Sequence, residues 1–177
     1  SFAWLWLVSP WLGIYQTNPD EGINLGKAAL VAAGYGPYGV MWNDQGPILT
    51  YLLAALQAVR PFDVEAGRVL VMAFSGLLLA ALHVTIRRGS GPLAAMVAIV
   101  LLAATPFYIQ LSTSVMIGLP AISLAVVALA VADRESPRAA VRAVFAGLLF
   151  GLALQTKLFA LAIGPARHQA DHRFAVP

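Results

Sequence analysis

Residues 66–88 read AGRVLVMAFSGLLLAALHVTIRR. From Ala66 to Ile86 the stretch is almost wholly apolar, with Arg68 near its start and His83 near its end. A membrane-spanning helix needs about 20 mostly apolar residues, and this stretch supplies them before Arg87 and Arg88 close it. The whole chain of 177 residues follows suit: 60% is hydrophobic and only 11% charged, with a mean hydropathy of +0.79. Soluble domains carry roughly 25% charged residues, so this chain has too little charge to clothe a surface facing water. The expected fold class is all-α, a polytopic membrane helix bundle. A net charge of +3 without a long basic run argues against nucleic acid as a partner. Cysteine is absent, so there is no disulfide framework and no thiolate metal site.

Four more candidate spans flank the first. They cover about 1–15, 92–110, 115–132 and 141–163, with 66–86 second in order. Gly76, Pro120, Gly147 and Gly151 fall inside these runs and are better tolerated in lipid than in water. The Ser1–Tyr15 run lacks the basic start and the A-x-A site of a signal peptide, so a truncated first span is expected. Residues 166–177, ARHQADHRFAVP, turn abruptly polar. The expectation is the N-terminal part of a longer transmembrane domain over 1–165, followed by an atypical or cut tail.

Charge sets the orientation. Arg87 and Arg88 end the second span, and Arg134, Arg138 and Arg142 lie between the fourth and fifth. Residues 16–65 hold only Lys27 and Arg60 against Asp20, Glu21, Asp44, Asp63 and Glu65. The positive-inside rule puts the arginine loops in the cytoplasm. Residues 16–65 then face the periplasm or exterior of a plasma (inner) membrane.

That outside segment is too long to lack structure. Asn18-Pro19-Asp20-Glu21 has the form of a helix start, with Asn18 as cap, proline in the first turn and acids behind it. The helix should run to about Ala33, where Gly34, Gly36, Pro37 and Gly39 break it. A second helix should run from Pro47 to Val59 and stop before Pro61. It is apolar and uncharged but short for a span, which fits a helix at the membrane interface.

The charges set in this apolar chain are the chemical candidates. Asp20 and Glu21 either offset the dipole of their helix or provide a carboxylate base at the mouth of a cavity. Lys157 is the one charge within the body of the fifth span. A helical rise of about 1.5 Å per residue puts it roughly 22 Å beyond Arg142, toward the outer face of a core about 30 Å thick. There it either snorkels or meets the phosphate of an outer-leaflet lipid. Arg68 binds a phosphate, pairs with Glu65 or Asp63, or anchors its helix. Asp44 is a turn residue or a contact for an acceptor. Trp42, Tyr35 and Tyr38 stack on a sugar or belong to an interfacial aromatic belt. His83 reads as structural. His168 and His172, in HQADH, have the spacing of a metal tract but no ordered setting. No cofactor is called for, and a divalent metal is left open.

The order of features is more telling than any one of them. An apolar run is followed by NPDEG (18–22), then a short helix, GYGPYGVMW (34–42), NDQGPILTYLLAAL (43–56) and Arg68. ATPFYIQLSTSVMIGLP (104–120) and GLLFGLALQTKLFALA (147–162) come after. In this order they resemble the bacterial GT-C glycosyltransferases of the dolichyl-phosphate-mannose-protein mannosyltransferase type, a group that includes aminoarabinose transferases acting on lipid A. The resemblance extends to about Pro165. It implies that Asp20 is the catalytic carboxylate, with Glu21 beside it, and that Lys157 matches the lysine closing a Gly-Leu-rich span. Gly46-Pro47-Ile48 stands where the family usually has Pro-Pro-Leu. MIGLP has Ile117 and Gly118 where the family often has an acid, which leaves a second acidic site or metal ligand there without support.

The implied reaction moves a sugar from a polyprenyl-phosphate donor to an extracytoplasmic acceptor, a lipid, glycan or protein, in one inverting step. Asp20 and Glu21 are its catalytic candidates, Lys157 and Arg68 its donor phosphate ligands, and Asp44, Trp42 and Tyr38 its acceptor or sugar contacts. Membrane lipids are further partners. A transporter segment and a non-catalytic membrane subunit are the rival readings. Transporters keep ionisable groups near mid-membrane, often in paired repeats. This chain shows no repeat, and its acids lie outside the spans.

Overall fold

The computed structural model describes residues 19–61, 63–132, 137–158 and 160. Among them it is an all-α membrane bundle of six helices: α1 (Pro19–Ala32), α2 (Pro47–Val59), α3 (Val64–Ala103), α4 (Pro106–Ser112), α5 (Gly118–Val131) and α6 (Ala139–Thr156). The first span, Asn18 and the HQADH tract lie outside the described residues.

Proline and glycine punctuate these helices. Pro19 and Pro47 sit at helix starts, where the missing N–H costs nothing. After α1 the chain leaves through Gly34, whose φ of 95° suits a residue without a Cβ. Asp63 caps α3 by accepting a hydrogen bond from the Ala66 N–H at 2.9 Å.

The long α3 is two helical segments joined at Gly91, whose φ of 88° and ψ of 171° lie outside the helical region. Pro92 follows and strengthens the break. The chain turns back here. Ser75 would lie more than about 40 Å from Tyr108 along a straight helix, yet the Ser75 Oγ donates to the Tyr108 hydroxyl at 2.7 Å. The return segment ends at Ala103. Thr105, with ψ of 121°, takes the extended conformation that a following proline imposes, and Pro106 opens α4. The apolar run expected over 92–110 is thus divided. Helix α6 stops at Thr156, and Lys157 beyond it is extended, with φ of −156° and ψ of 127°. Lys157 therefore sits at the C-terminal end of this helix rather than in its body, and residues 161–163 of the expected span lie outside the described residues.

Helices α3 and α6 are long and apolar enough to cross a membrane. At 13 and 14 residues, α2 and α1 are too short to do so. The core gathers Ala28 of α1, Leu49 and Leu53 of α2, Val71, Leu78 and Leu79 of α3, and Val115. Helix α5 packs most extensively on α6 and α3. Buried Ala121, Ala125 and Ala128 of α5, with Ala146 and Ala153 of α6, let the backbones approach as in other membrane bundles. Leu93, Val100, Leu101, Phe145 and Leu148 are exposed, as lipid-facing side chains would be.

Candidate active site

The site is built on one face of α1. Asp20, Ile23, Asn24 and Lys27 follow the i, i+3, i+4, i+7 pattern of a single helical face. All four line a cavity of about 300 Å³. Trp42, Asp44 and Gln45 close it from the loop before α2, Met116, Ile117 and Gly118 from the start of α5, and Lys157 from the end of α6. Asp20 and Lys157 thus share one cavity.

Glu21 points elsewhere. Its Oε1 accepts from Arg68 Nε at 2.8 Å and its Oε2 from an Arg68 terminal nitrogen at 2.7 Å. The Val115 N–H adds a third bond to Oε1 at 2.9 Å. Both side chains are buried. Next to this pair, Asn24 Nδ2 donates to the Val115 carbonyl at 2.9 Å. Glu21 and Arg68 bind each other, and neither lines the cavity. The reason is helical geometry: neighbouring residues point about 100° apart, so one acid turns into the bundle and the other toward the cavity.

Lys27 is the charged residue of the cavity that the sequence did not single out as a site candidate. Its Nζ donates to Asp44 Oδ1 at 2.6 Å and to Asn43 Oδ1 at 3.3 Å, and it lies 5.0 Å from the centre of the Trp42 ring. A lysine over an indole face at this distance gains cation–π attraction. The hydrogen bond from Lys27, above all, holds the Asp44 carboxyl below the usual carboxylate range. The spacing from Asp20 to Lys27, two turns along one helix, was the available signal.

The loop that carries Trp42 and Asp44 is held from both sides. The Tyr38 hydroxyl and Asn43 Nδ2 both donate to the Gln45 carbonyl. At Gly46 an added Cβ would stand 1.6 Å from the Gln155 carbonyl oxygen. That contact explains glycine here rather than the first proline of a Pro-Pro-Leu stretch, since proline also carries a Cβ. It brings the loop against the end of α6, next to Lys157. Tyr38, itself at φ of 72°, lines a second cavity of about 770 Å³ with Asp44, Gln45, Gly151, Leu154 and Lys157.

With this geometry in view, a family model described as dolichyl-phosphate-mannose-protein mannosyltransferase matches residues 44–167, more than half of the chain. The chain belongs to this family. No curated protein and no solved structure matches it. The dolichyl-phosphate-mannose-protein mannosyltransferase family is one of GT-C membrane glycosyltransferases, so the chain is a membrane protein of the glycosyltransferase class. The match opens at Asp44 and takes in Arg68 and Lys157; Asp20, Glu21, Tyr38 and Trp42 precede it. Among the described residues no three His, Asp or Glu side chains gather as a metal site.

Proposed function

We propose that the protein transfers a sugar from a polyprenyl-phosphate carrier to an acceptor outside the cytoplasm. In this reading it is a multi-pass protein of the plasma (inner) membrane, with α1 and α2 at the outer surface, and forms the N-terminal part of a larger transmembrane domain. The acceptor hydroxyl or amine attacks the sugar C1 and loses its proton to Asp20. The bond from C1 to the phosphate oxygen breaks, and polyprenyl phosphate leaves. Its negative charge is met by Lys157, with Lys27 a second cation on the same cavity. Glu21 and Arg68 hold α1 in the register that aims Asp20, and so act as positioning residues. Trp42, Asp44 and Tyr38 contact the sugar or acceptor.

The observation that carries this reading is the shared cavity, with a carboxylate on one wall and an ammonium on another. Bringing donor and acceptor together there supplies the proximity that a bimolecular transfer needs. The experiment is transfer of radiolabelled sugar by membranes holding the full chain or its Asp20→Asn variant. Loss of a general base should slow transfer by about 10²–10⁴-fold with insertion unchanged. An unaltered rate would remove Asp20 from its role.

A further inference from the structure

Gln45 has no assigned part in this chemistry, yet the loop is arranged around it. Its backbone carbonyl is fixed by Tyr38 and Asn43. The next residue is locked against α6 by the space that only glycine leaves. Among the described residues the Gln45 Oε1 is the one buried side-chain polar atom without a hydrogen-bond partner.

Buried acceptors are nearly always satisfied, and an exception calls for a reason. Here the reason lies in position. Gln45, Asp44 and Lys157 line both cavities, the smaller one with Asp20 and the larger one with Leu154 and Leu158 of the α6 end. A sugar joined to a lipid phosphate at Lys157 would sit at this junction. We propose that the Gln45 carboxamide is the sugar-reading group of the site, its Oε1 accepting a hydrogen bond from a hydroxyl of the sugar being transferred. A site built around such an acceptor rejects ligands that lack the hydroxyl, because they leave the buried oxygen unpaired.

This inference rests on the glycosyl-transfer reading, and its test separates the two. The full chain in lipid nanodiscs is titrated with farnesyl phosphate and with the same phosphate esterified to a panel of hexoses and pentoses. The wild type should bind at least one sugar ester more tightly than the bare phosphate. Gln45→Leu should erase about tenfold of that advantage, about 1.4 kcal/mol, while binding farnesyl phosphate as before. Its melting temperature should hold or rise, since an unpaired buried acceptor has been removed. An unchanged ratio in Gln45→Leu, with wild-type preference intact, overturns the role of Gln45 alone. So does equal weakening of every ligand together with a lower melting temperature, which would make Gln45 structural. A wild type that prefers no sugar ester overturns this inference together with the donor it assumes.

Discussion

Glu21 and Arg68, 47 residues apart in sequence, form a two-pronged buried ion pair at 2.7 and 2.8 Å. With the Val115 N–H on the same carboxylate, the pair ties α1 to the start of α3 and to the segment leading into α5. It fixes the rotation of α1 about its own axis, and so decides which way Asp20 points.

Removing one partner strands the other. Arg68→Ala should destabilise the protein by about 3–5 kcal/mol, since Glu21 is left as an unpaired buried charge. Replacing both residues with methionine should recover most of that loss. Thermal melting of the detergent-solubilised variants measures both effects. Normal melting of Arg68→Ala combined with loss of farnesyl phosphate binding would instead put Arg68 on the donor phosphate.

Gly46 is a second point of restraint. A Gly46→Ala methyl would overlap the Gln155 carbonyl oxygen, so the loop and the end of α6 must separate. Overpacking of this kind typically costs about 1–3 kcal/mol. The expected result is a lower melting temperature together with slower sugar transfer, because Lys157 moves with its helix end. Melting and turnover both at wild-type level would show that the two segments do not touch.

The Lys27–Asp44 pair carries a pH signature. Lys27 depresses the Asp44 carboxyl, so the stabilisation is present above the usual carboxylate range near about 4. It is lost only as the pH falls through the depressed value. Its size is modest, because the Asp44 side chain is 40% exposed. Trp42 fluorescence, read against Lys27→Met, should hold steady from pH 7 down to about 4 and change below it. A transition near neutrality would mean that another group controls the loop.

Much of the helical framework was legible in local sequence. Pro19, Gly34, Pro47 and Pro61 act on their own backbone and neighbours, so the limits of α1 and α2 could be read without knowing what surrounds them. The apolar runs were equally plain, because lipid demands them over whole segments. The break at Thr105 was written in Pro106 but masked by the apolar residues on either side. The site was harder to read, since the partner of a charge is set by tertiary packing. Nothing within a few residues of Glu21 announces Arg68, and nothing near Lys27 announces Asp44. The close approach of Gly46 to Gln155 likewise depends on how α6 meets the loop.

The pairing of Asp20 with Lys157 across one cavity can be measured directly, because the chain has no cysteine of its own. Asp20→Cys and Lys157→Cys in one molecule, treated with bis-methanethiosulfonate reagents of graded length in intact membranes, should crosslink efficiently with the shortest linkers. An Asp20→Cys, Arg88→Cys pair should not. Should the 20–157 pair join only through linkers approaching the bilayer core of about 30 Å, the two groups lie on opposite sides of the membrane and cannot act on one sugar phosphate.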